Sequence, residues 1–345
     1  MTYLITGASG FIGSHLAEQL LKNGHSVINI DNFDDFYDYK IKIENTLESV
    51  GQSIDFEFKD KETDIQKIIE ITKGENYILY CQDISEIEGL RKIFQSHSID
   101  GIIHLAALAG VRPSIERPLD YERVNIRGTM NLWELCEEFG VKKYIGASSS
   151  SVYGNNEKIP FSETDFVDEP ISPYAATKKA GEIMGHVYHS LYHIDMIHLR
   201  FFTVYGPRQR PDLAIHKFTR LINENREIPF YGDGSTARDY TFIGDIIDGV
   251  LKAITYIEKH SEVHEIINLG ESQVITLSEM VSTISQTLGK EAKLNKLPMQ
   301  PGDVNKTNAD VQKAKTLLGY HPQTNFQNGI KIFVEWFLRR KSNNQ

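Results

Sequence analysis

Two short segments hold residues that could move a proton beside a redox centre. SPYAATKKAG carries Tyr174 and Lys178 four positions apart, so a helix there sets a phenol and an ammonium on one face, one turn apart. A phenol ordinarily titrates near 10. A neighbouring ammonium favours its phenolate, giving a general base near neutral pH. Upstream, ASSSSVYG (147 to 154) places four hydroxyls, Ser148 to Ser151, directly after the apolar run VKKYIGA. A serine run in isolation reads as linker. After a buried strand it reads as hydroxyls presented at a strand's carboxyl end, where open α/β sheets place their ligands.

The chemistry needs a redox partner, and the N-terminus has the pattern for one. GASGFIG sets Gly7, Gly10 and Gly13 with Phe11 and Ile12 between a first apolar run and a helical pattern, FIGSHLAEQLLKNG. Glycines there allow a tight turn, close approach of backbone amides to a pyrophosphate, and packing of helix on strand. Asp31, followed by Asn32, ends the second apolar run and is placed to bind both hydroxyls of an adenosine ribose. An acid there repels a 2′-phosphate, so NAD is expected rather than NADP. Asp83 and Ile84 end the third run, and Leu105, Ala106 and Ala107 in HLAALAG end the fourth, adding small residues for a dinucleotide to lie against.

These residues must be positioned by a scaffold, and the sequence supplies one. YLIT, SVINI, YILY, IDGIIHLA, KKYIGA and DMIHLRFF alternate with amphipathic segments, which predicts a doubly wound parallel sheet with helices on both faces over residues 1–205. Residues 40–76 interrupt the rhythm with a polar, Lys/Glu-rich insertion of helical and edge-strand character. From 206 to 345 the mixed pattern predicts a smaller α/β lobe, with some exchange of segments between the two. Helices are expected at 213–224, 244–257, 277–288 and 326–340.

With 345 residues and a net charge of −10, and without a long block of like charge, the chain offers no nucleic-acid surface. An anionic ligand must therefore be held by a few placed arginines. Two cysteines, Cys81 and Cys136, form no disulfide framework and are expected as buried thiols in a reducing compartment. No apolar run reaches about 18 residues and no basic leader precedes one, so a soluble cytoplasmic protein without membrane contact is expected. His186, His189 and His193 share a helix face, but no carboxylate or cysteine joins them and no metal is expected.

GASGFIG, HLAALAG, the serine strand end, YAATK and RFFTVYGPRQRPD together resemble the extended short-chain dehydrogenase/reductase family over almost the whole chain. The resemblance implies a Rossmann domain with tightly bound NAD, a lobe for a nucleotide sugar, and a Ser/Thr, Tyr, Lys catalytic set. Ser149 takes the hydroxyl position, 25 residues before Tyr174 (174 − 149 = 25), and Ser150 and Ser151 follow into the sugar pocket. Sugar 4,6-dehydratases of the family carry an Asp-Glu pair where Ser150 and Ser151 stand. Hydroxyls do not readily shuttle the protons that dehydration requires, so the loop resembles that of the 4-epimerases. The implied reaction is oxidation at C4 of a UDP-sugar to a 4-keto intermediate, with hydride returned on the opposite face.

TVYGPRQRPD (203 to 212), NFDDFYD and GVRPSIERP resemble the UDP-glucuronate branch of those enzymes. An arginine fork pairs bidentately with a carboxylate. By position Arg210 is assigned to a sugar carboxylate, ahead of Arg208. Arg112 and Thr203 are placed in the substrate site, Arg238 on the diphosphate, Asp245 in a structural role and Asp303 on the nucleoside. Gln300 stands where some 4-epimerases have a diphosphate-binding arginine. A homodimer through helices near 121–140 and 174–193 is also implied. The alternative enzyme is a 4,6-dehydratase, for example on UDP-N-acetylglucosamine, using acids other than the missing pair. A non-catalytic NAD-binding regulator fits poorly, because it has no use for an intact Ser149, Tyr174 and Lys178.

Overall fold

The computed structural model describes residues 1–53, 55–298 and 306–343. From the N-terminus run β1 (Thr2–Thr6), α1 (Phe11–Lys22), β2 (Ser26–Asp31), α2 (Tyr39–Ser49), α3 (Lys61–Thr72), β3 (Tyr77–Cys81), α4 (Ile87–Ser96) and β4 (Gly101–His104). Then come α5 (Val111–Glu116), α6 (Pro118–Tyr121), a π-helical turn at Glu122–Arg127, α7 (Gly128–Phe139), β5 (Lys143–Ser149), α8 (Pro173–Tyr192) and β6 (Asp195–Phe201). The remainder is β7 (Thr203–Tyr205), α9 (Ala214–Asn223), β8 (Glu227–Tyr231), β9 (Ala237–Phe242), α10 (Ile243–Lys259) and β10 (His264–Leu269). It continues with β11 (Val274–Thr276), α11 (Leu277–Leu288), β12 (Lys293–Leu297), α12 (Gln312–Leu318) and α13 (Phe326–Asn343).

Two compact units form, one from Met1–Val152, Val167–Arg200 and Val250–Ile267, the other from Tyr153–Phe166, Phe201–Gly249 and Asn268–Gln345. In the first, a seven-stranded parallel sheet has the order β10-β6-β5-β4-β1-β2-β3. β1 lies between β4 and β2, with Thr6 in register with Ile30 on one side and His104 on the other. The inner strands β1, β2, β4, β5 and β6 are buried along nearly their whole length, as a sheet covered by helices requires, whereas the edge strand β3 alternates buried with partly exposed residues. Leu4, Ile28, Ile30 and Ile102 from the sheet pack with Leu132 and Trp133 of α7. Truncating one such leucine or isoleucine to alanine costs about 2–5 kcal/mol.

α8 begins because Ser172 caps it, its hydroxyl accepting from Ala175 N at 3.2 Å, with Pro173 at the first helical position. Its 20 residues end at Tyr192 and are followed by the C-cap His193, which adopts a left-handed conformation. The second unit holds the sheets β11-β9-β7 and β12-β8, with a core that includes Phe218, Ile228, Met280 and Phe333. The helices expected after residue 205 fall at α9, α10, α11 and α13; α9, α11 and α13 belong to this unit, and from Val250 onward α10 belongs to the first. Among the described residues no helix is long and apolar enough to cross a membrane.

The 40–76 segment contains α2 and α3 and, among the described residues, no strand. It forms the crossover from β2 to β3, and α2 packs on α1. Cys81 corrects a second expectation. It is exposed, while Cys136 is buried, because β3 is the sheet's edge strand and Cys81 is its last residue.

Candidate active site

In the first unit, the turn after β1 is built to admit little beyond backbone. Gly7 has φ +74°, and a Cβ on it would sit 2.9 Å from Ala106 N. A Cβ on Gly13 would meet the Gly7 carbonyl oxygen at 2.2 Å, so α1 lies directly on the turn. Gly10 caps α1 without a side chain to occupy the first-turn amides. Those amides and the helix dipole make an anion site suited to a pyrophosphate. Ala106 N donates to Thr6 Oγ1 at 3.2 Å and Leu105 N to Thr6 O at 3.1 Å, which ties the HLAALAG segment, Ala107 included, to the end of β1. His104 fixes Thr6 in turn, at 2.7 Å, and reaches Thr129 at 3.0 Å. Burial drives His104 to a pKa of about 3, so it is neutral and hydrogen-bonded.

Asp31 is buried at the end of β2, and its Oδ1 accepts from Phe33 N at 2.9 Å and Lys42 Nζ at 3.3 Å. Lys42 comes from α2, inside the segment whose role the sequence did not disclose. The same helix sends Thr46 to Ser9 Oγ (2.9 Å) and Asn45 to Ser9 O (3.3 Å), so it buttresses the glycine turn from behind. Asp83 accepts from Ser85 N and Oγ, from Asn32 Nδ2 at 3.1 Å, and lies 3.5 Å from Arg123. Burial alone would raise its pKa, but the Ser85 and Asn32 bonds and Arg123 outweigh burial and hold it below the ordinary carboxylate value. Ile84 is buried, and the backbone at Gly128 approaches it so closely that a Cβ there would fall 2.7 Å from its Cγ1. Phe11 and Gly13 are buried on α1, beside Ile12. The residues present thus fit a dinucleotide.

β5 carries the first two serines within the strand, and Ser150–Tyr153 form a 3-10 turn. Ser149 is buried, its Oγ 3.1 Å from Ser151 Oγ and accepting from Ser151 N at 3.1 Å. Lys178 Nζ donates to Ala147 O at 2.6 Å, which puts the lysine against the same strand end. Burial lowers its pKa to about 8. Tyr174, one turn earlier, packs edge-on against Tyr121 with ring centroids 6.2 Å apart. Arg112 is exposed on α5.

In the second unit, Thr203 opens β7, in register with Tyr240 of β9. Arg208 is buried with φ +63°. Arg210 forms a two-point pair with Asp212, Nε to Oδ1 at 3.0 Å and Nη2 to Oδ2 at 2.7 Å. Arg238 on β9 donates to Ala237 O at 2.9 Å. Asp245 accepts from Gln323 N and Thr324 N at 2.9 and 3.1 Å and so fastens the segment before α13. Asp303 and Gln300 lie outside the described residues.

Of the histidines weighed as ligands, His186 and His189 lie beside His264, at ring distances of 4.8 and 5.4 Å, and His193 is the C-cap of α8. Lys42, Glu182 and Arg200 are site-building residues that motif reading missed. Only Glu182 left a signal: it continues the four-residue spacing of Tyr174 and Lys178.

Residues 4–333 match the model of the GDP-mannose 4,6 dehydratase family. An uncharacterised protein of Methanocaldococcus jannaschii is 44% identical over 98% of this chain and 96% of its own length. A UDP-glucuronate 4-epimerase of Thermodesulfobacterium geofontis is 41% identical over 97% of this chain and 95% of its own. Among solved structures, the UDP-glucuronic acid 4-epimerase of Bacillus cereus in complex with UDP-glucuronic acid and NAD is 35% identical. It covers 99% of this chain and 100% of its own, with a TM-score of 0.85.

Proposed function

The chain belongs to the GDP-mannose 4,6 dehydratase family of extended short-chain dehydrogenase/reductases and is an NAD-dependent nucleotide-sugar 4-epimerase; we propose that it interconverts UDP-glucuronate and UDP-galacturonate. The family model bears a dehydratase's name, whereas several relatives are UDP-glucuronate 4-epimerases by name. One observation carries the choice. The strand end after Ser149 presents the hydroxyls of Ser150 and Ser151, where loss of water from C5 and C6 would need a carboxylic acid and a base. Hydroxyls can orient a sugar without removing its C5 proton.

NAD, when bound, supplies reversible oxidation at the sugar C4. In this reading Tyr174 takes the proton from the C4 hydroxyl and later returns it, while Ser149 hydrogen-bonds the C4 oxygen. Lys178, held by Ala147 O, contributes a positive charge that favours the Tyr174 phenolate. The amides about Gly7, Gly10 and Gly13 hold the cofactor's pyrophosphate, and Asp31 its adenosine ribose. In the first unit Arg112 and Ser151 are assigned to the sugar; in the second, Thr203 is assigned to the sugar and Arg238 to the diphosphate.

A uronate is supported by Arg210, whose fork meets the Asp212 carboxylate in the bidentate geometry a sugar carboxylate would use. Asp212 is 44% exposed at its side chain. The Arg210 side chain is 17% exposed, so its fork is partly withdrawn from water, and a substrate carboxylate can take the place of Asp212, which returns to solvent, with the same two-point geometry. The relatives that act on UDP-glucuronate by name point the same way. A homodimer is part of the reading: Ile183, Val187 and Leu191 follow one another at four-residue spacing on α8 and are 53, 40 and 64% exposed.

Arg210→Ala separates the substrates. It should lower kcat/KM for UDP-glucuronate by about 10- to 100-fold, the loss of a charged hydrogen bond, and for a neutral UDP-hexose by a few-fold at most. Equal losses would remove Arg210 from the carboxylate.

A further inference from the structure

Beneath the serine strand end lies a fully buried ion pair to which the proposed chemistry assigns nothing. Glu182 and Arg200 have side chains 1% exposed. Glu182 Oε1 accepts from Arg200 Nε at 2.7 Å and its Oε2 from Arg200 Nη2 at 2.7 Å. Oε1 also accepts from Ser148 Oγ at 2.7 Å. Glu182 therefore joins three elements: its own α8, β5 through Ser148, and β6 through Arg200.

The placement along α8 gives this clamp its meaning. Tyr174, Lys178 and Glu182 follow at four-residue intervals and share a face. Two successive rungs link that face to two successive residues of β5: Lys178 Nζ to Ala147 O at 2.6 Å, and Glu182 to Ser148. Ser149 is the next residue. One turn beyond Glu182, the helix comes so near β6 that a Cβ on Gly185 would lie 2.3 Å from His198 Nε2. Helix and strand are thus held in one register immediately beside the reacting groups. A buried ion pair is a poor source of stability, because apolar side chains of similar volume commonly do as well. What apolar packing cannot supply is a directional bond to one hydroxyl of β5.

We propose that Glu182, oriented by Arg200, is a positioning residue that sets the separation of Ser149 from Tyr174 by holding Ser148 against α8. The inference rests on the reading in which Ser149, Tyr174 and Lys178 act on the sugar. Displacing reacting groups by about 1 Å can cost on the order of 100-fold. A single lost rung that leaves Lys178 in place should move them by less and cost about tenfold.

The test uses the full-length purified protein in three forms, Ser148→Ala, Ser148→Thr and Tyr174→Phe, with kcat, KM for the UDP-sugar, NAD content and the thermal unfolding midpoint measured on each. Ser148→Ala should lower kcat about tenfold, leave KM within about twofold and NAD content unchanged, and shift the midpoint by about 3 °C or less. Ser148→Thr retains the hydroxyl and should recover kcat to within about threefold. Should the added methyl lower its midpoint, the division between kcat and KM in Ser148→Ala decides. Parental kcat in Ser148→Ala, or a rise in KM at unchanged kcat, overturns the positioning role. Tyr174→Phe keeps the two failures apart. If it is inactive while Ser148→Ala turns over normally, only this inference falls. If it remains active, the catalytic reading falls and the inference with it.

Discussion

Gly13→Ala is the most sharply determined change in the cofactor site. The added Cβ would lie 2.2 Å from the Gly7 carbonyl oxygen, 2.7 Å from Ala8 Cα and 2.8 Å from Gly7 C. All three are backbone atoms, so no side chain can swing aside. Real Cβ atoms keep at least about 3.0 Å from such neighbours, so the start of α1 must retreat from the turn by most of an ångström. The turn cannot follow, because Gly7 is itself pressed on Ala106 and its N donates to Ile30 O at 2.7 Å. Overpacking of this kind costs about 1–3 kcal/mol of stability. The same retreat removes the first-turn amides from a pyrophosphate. Each amide-to-phosphate bond is charge-assisted and contributes about 1.5–3 kcal/mol, so losing one weakens NAD binding about 10- to 100-fold. Calorimetric titration of cofactor-stripped protein with NAD measures this directly. Folded Gly13→Ala protein that binds NAD within threefold of the parent would refute both the packing argument and the assignment of the turn to the pyrophosphate.

Three further changes follow from the same structure. Gly181 lies within α8, where an added Cβ would meet no neighbouring atom within 4 Å, so Gly181→Ala should raise the unfolding free energy by about 0.5–1 kcal/mol with kcat unchanged; a loss of stability would contradict this. Glu182→Gln strands the Arg200 charge and should cost about 3 kcal/mol at neutral pH. Burial alone would raise the Glu182 pKa, but Arg200 and Ser148 hold it below the ordinary value. Its stabilisation is therefore present above the unfolded carboxyl pKa and lost as pH falls through the folded one, so the gap between Gln variant and parent in urea unfolding should narrow in acid; a constant gap would contradict this. His104 and His198 are held neutral by burial, with pKa values of about 3 and 4. Unfolded histidines take up protons near 6.5, so stability is full above that pH and declines as pH falls toward 4; urea midpoints equal at pH 7.5 and 5 would contradict it.

What could be read in the sequence were residues whose type is forced by backbone. Gly7 and Gly13 are visible because a side chain there would collide with main chain, Gly10 because it starts α1 without a side chain over the first-turn amides, and Tyr174 with Lys178 because a helix repeats every turn. The parallel sheet is legible because its inner strands are buried on both faces and read as continuous apolar runs. The contributions of α2 were hidden for the opposite reason. Its polar composition resembles an exposed helix, yet Lys42, Asn45 and Thr46 are buried against Asp31 and Ser9. Only the tertiary fold shows that these polar groups face inward. Arg200 was similarly concealed in the apolar run DMIHLRFF, since its partner Glu182 belongs to the preceding helix. Residue type alone predicts a buried Cys81, but strand order places it at an edge.

The substrate and the fate of its C4 centre are open to one measurement. Incubating the purified protein with UDP-glucuronate, without added NAD, and following the sugar by proton NMR tests both together. Epimerisation predicts a mixture of UDP-glucuronate and UDP-galacturonate, approached from either side. A 4-keto-6-deoxy sugar from any UDP-hexose, or an unchanged uronate beside turnover of a neutral UDP-hexose, would contradict it.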